Sequence, residues 1–272
     1  MNEIYHPGPY GIFYRKSGTG PAVVLLHGFP ASGILWRNIW DELSVSYTVI
    51  VPDLPGSGNS PLNKETDLSD MAEMVKAILD NEHIDKAVLA GHSMGGYVAL
   101  AFARLYPARV AGLSLVHSTT DADDEDKKKT RRKSIELIQN GGKDLFISQM
   151  VPALFCPVFK HSHAMIVKHQ IAQSSEIEAG SMINFYNAMI ARPDSTDVLA
   201  NAHFPLQWIS GYDDNIIPLK KILGKCHTSG INFVSFYNNC GHMSMLEEPG
   251  KLETDLKDFI NYSYCYHQDY HE

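Results

Sequence analysis

This sequence predicts an α/β fold in which a mostly parallel central sheet is flanked by helices, and three observations carry the prediction. Short apolar runs ending in turn residues recur along the chain, amphipathic helical patterns separate them, and the one long break in this alternation is itself helical. Runs that are apolar on both faces suit strands buried between helical layers, and alternation of strand with helix is the pattern of a parallel sheet.

The strands are residues 22–27 (AVVLLH), 47–53 (YTVIVPD), 86–90 (KAVLA), 110–117 (VAGLSLVH) and 205–211 (PLQWISG), with a last one at 232–237. Between them, residues 67–81 place Leu68, Met71, Val75, Ile78 and Leu79 at helical spacing, and residues 94–106 form a second helix that stops before Pro107. Residues 249–262 put Leu252, Leu256, Phe259 and Ile260 on one helical face, with Pro249 suited to the first turn. Residues 263–272 read as a polar, aromatic tail.

Residues 119–201 interrupt the alternation with about four helical patterns and no clear strand, divided by Gly141-Gly142, Pro152, Pro157, Ser174-Ser175 and Pro193. They are predicted to form a helical cap inserted before the strand 205–211, over a core made of residues 1–118 and 202–272. The cap opens with Asp121, Asp123, Asp124, Glu125 and Asp126, followed by Lys127, Lys128, Lys129, Arg131, Arg132 and Lys133. Acids at a helix start and bases further along suit the helix dipole, so this stretch reads as a solvated helix face.

Composition narrows the function. At 272 residues, 44% hydrophobic and 20% charged, the chain suits one sizeable globular domain or one domain with an insertion. Lysine and arginine number 23 against 31 acids, a net charge of −8 that offers no broad positive field to a nucleic acid. No stretch approaches the roughly 20 apolar residues of a membrane span. Residues 1–9, with Glu3, His6 and two prolines, lack the basic start and apolar stretch of a signal peptide. A cytoplasmic protein is therefore expected, with a small-molecule substrate rather than nucleic acid or membrane as partner.

Neither metal nor cofactor is expected. Cys156, Cys226, Cys240 and Cys265 are scattered singly and read as reduced thiols, and neither Cys226-His227 nor His161, His163 and His169 has CxxC or HExxH spacing. Residues 56–58 are GxG without the rest of a dinucleotide fingerprint.

The chemistry begins at Gly91-His92-Ser93-Met94-Gly95, a GxSxG placed directly after the strand 86–90 and directly before a helix. A sharp turn there pushes the serine oxygen outward, and small residues on either side relieve clashes. A serine hydroxyl is a poor nucleophile until an adjacent base takes its proton and a third group holds that base in the right tautomer. Downstream, Asp213 or Asp214 follows the strand ending at Gly211, and His242 follows the last strand, in Asn239-Cys240-Gly241-His242. Both lie in loops at strand ends, where ligand chemistry collects in open α/β sheets.

These segments resemble the α/β-hydrolase superfamily across nearly the whole chain. His27-Gly28-Phe29-Pro30 is similar to its HG loop, residues 53–60 (DLPGSGNS) to its DxxGxGxS segment, and residues 91–96 (GHSMGG), 211–218 (GYDDNIIP) and 241–249 (GHMSMLEEP) to its nucleophile, acid and histidine segments. The resemblance implies a catalytic triad of Ser93, Asp214 (the GxxD position) and His242, with Asp213 and Asp121 as lesser candidates for the acid. It also implies an oxyanion hole made by the backbone N–H groups of Phe29 and Met94. A serine at position 93 argues against the carboxylate-nucleophile epoxide hydrolases and dehalogenases of the family.

Trp36, Phe146, Met150, Phe155, Met165, Phe185, Tyr186, Met189 and Met243 are candidates to line a substrate pocket under the cap, Trp36, Phe155, Tyr186 and Met243 being chosen among them. As a group they suggest an apolar acyl or aromatic pocket with few charged anchors. The expected reaction is hydrolysis of a small to medium, mostly uncharged ester or lactone through an acyl-serine. Alternatives with the same triad are carbon–carbon bond hydrolysis, enol-lactone opening, hydroxynitrile lysis and perhydrolysis, and outside catalysis a ligand receptor on this fold.

Overall fold

The computed structural model describes residues 2–6 and 11–270. Eight strands form one sheet in the order β1-β2-β4-β3-β5-β6-β7-β8. They are β1 (Asn2–His6), β2 (Ile12–Ser17), β3 (Ala22–Leu26), β4 (Thr48–Pro52), β5 (Ala87–His92), β6 (Val110–Val116), β7 (Leu206–Gly211) and β8 (Asn232–Tyr237). From β4 to β8 every neighbouring pair is parallel, whereas β1 and β2 are antiparallel additions at one edge.

Every residue of β3, β5, β6 and β7 is buried, as a strand covered on both faces requires. The strand pair β1 and β2 is a finding beyond the sequence prediction. Its edge position leaves β2 only partly buried, and its apolar run is broken by Arg15, whose guanidinium turns inward to Asp53 at 3.1 Å.

Three helices of the core precede the long insertion, α1 (Arg37–Leu43), α2 (Leu68–Asn81) and α3 (Met94–Leu105), and a long one, α12 (Pro249–Tyr270), follows β8. Asp67 caps α2, accepting from the N–H groups of Ser69 and Asp70, while the Asp70 side chain returns to the Asp67 N–H. Helix α3 packs on α2 and β5, and α12 packs on α1 and β6.

The described part of the expected tail, residues 263–270, continues α12 instead, and positions 271 and 272 lie outside the described residues. No glycine or proline stops the helix after Tyr262, and the buried stripe runs on through Ser263. The Tyr264 hydroxyl then bonds the backbone N–H and carbonyl of Ala22, both at 2.9 Å, which ties the helix end to the start of β3.

Between β6 and β7 the chain forms six helices and no strand: α4 (Glu125–Gln139), α5 (Lys143–Ala153), α6 (Pro157–Ser162), α7 (Ala164–Ser175), α8 (Ala179–Ala191) and α9 (Thr196–Ala200). They pack mainly on one another, α4 on α5 and α8, and α7 on α5 and α6. Two short helices complete the chain, α10 (Leu219–Leu223) and α11 (Ser244–Glu247).

Parallel register brings the strand ends together. Leu26 pairs with Gly91, His92 with Val116 and Gly211 with Tyr237, so the loops after β3, β5, β6, β7 and β8 open on one edge of the sheet. Every residue expected to do chemistry sits in these loops or at the start of α3.

Candidate active site

Ser93 stands between β5 and α3 with φ 51° and ψ −113°, a left-handed conformation uncommon for a residue with a side chain. The turn is possible because its neighbours have no side chains: a Cβ on Gly91 would lie 2.4 Å from the Gly95 carbonyl oxygen, and one on Gly95 2.3 Å from that of Leu26. The Ser93 N–H bonds the Val116 carbonyl at 2.9 Å and its carbonyl accepts from the Ser118 hydroxyl at 2.8 Å, which fixes the strained turn to β6. The side chain is left half-exposed to a cavity.

Asp214 is fully employed. Its Oδ1 accepts the N–H groups of Ile216 and Ile217, each at 2.9 Å, and its Oδ2 faces Nδ1 of His242 at 2.8 Å and Nδ1 of His117 at 3.0 Å. Burial alone would push this carboxyl up. The charge and hydrogen bonds of the two imidazoles outweigh burial and hold it well below the usual carboxylate range. An ionised carboxylate only accepts hydrogen bonds, so both histidines carry a proton on Nδ1, and Nε2 of His242 is the ring nitrogen that Asp214 does not engage.

In the sequence His117 stands out only as the last residue of the run 110–117, a histidine directly following apolar residues. It is the first residue after β6, with φ 50° and its N–H bonded to the Ile209 carbonyl at 2.7 Å. Burial lowers its pKa, offset in part by Asp214, and its Nε2 has no partner among the described residues. His92 is also buried beside His242, 5.0 Å between ring centres, and bonds the His242 carbonyl at 2.8 Å. Burial, and then the neighbouring His242 and His117, lower its pKa well below the ordinary value.

The loop that carries His242 is clamped by a carboxylate. Glu247 accepts the N–H groups of Gly241, Met243 and Cys156 at 2.9–3.0 Å, and the His242 N–H bonds the Leu154 carbonyl at 2.6 Å. Leu154 and Cys156 lie between α5 and α6, so the helical insertion holds the histidine as well as roofing it.

Asp53 ties the loops after β3 and β4 together, accepting the N–H groups of Gly33 at 2.8 Å and Asn59 at 3.0 Å. Met94 N–H is in the first turn of α3, where helix N–H groups have no partner one turn back, and Phe29 lines the cavity beside Ser93.

A cavity of about 170 Å³ collects these groups. From the core it is lined by Phe29, Ser93, Tyr97, Ile216 and His242, and the insertion adds Met150, Leu154, Tyr186 and Met189. Tyr186 is thus at the cavity, but the other three chosen pocket residues are not.

Trp36 is fully buried ahead of α1, Phe155 stacks on Phe159 with ring centres 5.6 Å apart, and Met243 is buried beside the Glu247 clamp. Apolarity puts all of them in the core, and only the packing decides which faces the substrate. Phe146 and Phe185 touch the ring of Phe29 from behind, and Met165 is exposed at the surface.

The expectation of few charged anchors is corrected. Lys127 and Arg131 line the cavity with Thr130 and Ser134, the four sharing one face of α4. The basic run of α4 is therefore a solvated face only for its other members, Lys129, Arg132 and Lys133 being exposed.

A family model for the alpha/beta hydrolase fold matches residues 21–139. The structure superimposes on that of a thermophilic esterase from Thermogutta terrifontis with a TM-score of 0.90 and 28% identity, over 97% of this chain and 99% of that one. The chain has the fold of the α/β hydrolases.

Among curated relatives this chain is 28% identical to a pimeloyl-[acyl-carrier protein] methyl ester esterase of Pseudoalteromonas atlantica, over 90% of this chain and 96% of the relative. It is also 28% identical to a 2-hydroxy-6-oxononadienedioate/2-hydroxy-6-oxononatrienedioate hydrolase of Paraburkholderia phymatum, over 92% and 90%. Like these relatives the protein is a hydrolytic enzyme. No helix among its described residues is long and apolar enough to cross a membrane.

Proposed function

We propose that this enzyme hydrolyses a small to medium carboxylic ester or lactone through an acyl-Ser93 intermediate. The observation that carries the reading is the ionised Asp214 holding Nδ1 of His242 at 2.8 Å while His242 and Ser93 face one cavity.

Ser93 Oγ attacks the substrate carbonyl as Nε2 of His242 takes its proton, and the resulting imidazolium is stabilised by Asp214. The oxyanion is received by the N–H groups of Phe29 and Met94, donors of a kind worth about 2.7–4 kcal/mol each. Collapse breaks the carbon–oxygen bond, and the leaving alkoxide takes the proton from His242. Water, deprotonated by the same histidine, then cleaves the acyl-serine to the free acid and restores Ser93.

The full-length esterase relative supports an ester. The oxo-dienedioate hydrolase supports a second reading, in which the same three residues cleave a carbon–carbon bond beside a ketone.

Burst kinetics with p-nitrophenyl acetate, butyrate and octanoate separate the two. The wild type is expected to turn over the shorter esters, and Ser93→Ala to lose several orders of magnitude in kcat. A wild type with neither turnover nor a stoichiometric burst of phenolate defeats the esterase reading, and a vinylogous 1,5-diketone becomes the substrate to assay.

A further inference from the structure

Lys127, Thr130, Arg131 and Ser134 stand at i, i+3, i+4 and i+7 of α4 and form a polar wall of the cavity that holds Ser93 and His242. The acids around that wall are already engaged. Asp123 takes Arg131 at 2.5 Å and Arg192 at 3.0 Å, Asp121 takes Lys221 at 3.5 Å and Lys225 at 3.4 Å, and Glu125 takes Lys128 at 2.9 Å. The Lys127 ammonium makes no ion pair or hydrogen bond with any of the described residues, although its backbone N–H caps onto Asp124 at 2.8 Å.

Lys127 is half-buried, and an ammonium partly withdrawn from water and left without an anion is unfavourable. Here the surroundings add like charge instead of relieving it. Burial, and then the neighbouring Arg131, push the Lys127 pKa down to about 8, with Asp123 opposing and Arg192 and Lys221 reinforcing. This positive spot sits in a chain whose net charge is −8. Its natural partner comes from outside the chain, through the cavity that Lys127 lines.

We propose that the substrate bears a free carboxylate remote from the bond that is cleaved, and that Lys127 is the residue that binds it. The remainder of the substrate lies along Met150, Leu154 and Met189, and a cavity of about 170 Å³ suits a short half-ester of a dicarboxylic acid. This deepens the acyl-serine reading and rests on it for the place of the reacting carbonyl, but the anion contact itself stands apart from the chemistry.

The test compares mono-p-nitrophenyl glutarate with the neutral p-nitrophenyl valerate on wild type, Lys127→Met and Lys127→Arg. The ratio of kcat/KM, anionic over neutral, is expected to exceed one in the wild type, to fall tenfold or more in Lys127→Met through KM, and to recover in part in Lys127→Arg. Raising the pH from 7 to 9 should lower the wild-type ratio as Lys127 discharges, and leave that of Lys127→Arg flat.

The other groups facing Lys127 do not imitate this change. Arg131 and Arg192 stay charged, Asp123 is held ionised by its two arginines against the effect of burial, Lys221 is paired with Asp121, and burial keeps Tyr97 and Tyr186 neutral. His242 also faces the cavity, but its part in the reaction is common to both esters and cancels in a ratio measured on one enzyme.

A binding measurement keeps the two readings distinguishable. Calorimetry of glutarate with Ser93→Ala, which needs no turnover, should detect binding that Lys127→Met in the same background abolishes, with melting temperatures confirming that both variants are folded. Glutarate binding lost with Lys127 upholds the anion site even if no ester is hydrolysed. Turnover of the neutral ester with a ratio near one, unchanged in Lys127→Met, overturns the anion site and leaves the esterase reading intact.

Discussion

At the residue scale, the arrangement turns on one carboxylate that serves two imidazoles. Asp214 spends Oδ1 on two backbone N–H groups and Oδ2 on His242 and His117, so its orientation and ionisation are both fixed. Replacing Asp214 by Asn removes the charge and presents an amide N–H or an oxygen in its place. By analogy with triad acids elsewhere, kcat is expected to fall by about 10⁴, with the enzyme still folded.

His117 touches Asp214 and not the cavity, so it is a positioning residue. His117→Ala should lower kcat about tenfold with little effect on KM, a magnitude set by losing one charge-assisted hydrogen bond of about 1.5–3 kcal/mol only in part. His117→Asn, whose amide can replace the Nδ1 donor, should restore most of it. Equal activity of His117→Ala and wild type in a steady-state assay argues that Asp214 needs only its other contacts.

At the element scale, strand, turn and helix each contribute one constraint. Parallel register aligns the loops, the glycine-flanked turn after β5 lifts Ser93, and the segment between α5 and α6 grips the His242 loop through Leu154 and Cys156. Glu247 is the centre of that grip, a buried carboxylate accepting from three loop N–H groups. Glu247→Gln keeps the size but sets an amide donor against N–H groups. A loss of about 2–4 kcal/mol in urea unfolding is expected, with a drop in kcat, since the base loses its fixed loop. A variant as stable as wild type, or one destabilised with kcat untouched, would separate the clamp from the base.

At the scale of the whole molecule, acid sensitivity follows from histidines that the fold buries uncharged. Burial is the leading cause of lowered pKa at His27, His92 and His117. The unfolded chain takes up protons on these groups near their ordinary value of about 6.5 while the folded chain refuses them, so stability is present above that pH and lost as pH falls below it. The depressed carboxyl of Asp214 acts lower, its contribution being lost only as pH falls below about 3.9, the unfolded carboxylate value. Between pH 7 and 5 the histidines dominate, each adding a slope of up to about 1.4 kcal/mol per pH unit. Calorimetric scans should show the melting temperature falling over that range and the fall shrinking in a His92→Asn, His117→Asn double variant, and an unchanged slope would falsify the assignment.

What the sequence determined by itself is whatever depends on neighbours along the chain. The strands 22–27 through 232–237 were legible because burial on both faces demands continuous apolar runs, and the GxSxG turn because its glycines answer a local clash. The order of Ser93, Asp214 and His242 was legible for the same reason, each sitting at a strand end that hydrophobicity marks.

What only the tertiary structure decided is which side chains meet. The edge strands β1 and β2 and the last turns of α12 were hidden because Arg15, Ser263 and Tyr264 are polar residues whose burial depends on partners far away in sequence. Trp36, Phe155 and Met243 went to the core, while Lys127 and Arg131 turned from a run of surface charge into the cavity wall. A hydrophobic residue reports that it will be buried, and a charged one that it needs a partner, but the direction each faces is set by helices packing across the sheet, an interaction that no local pattern encodes.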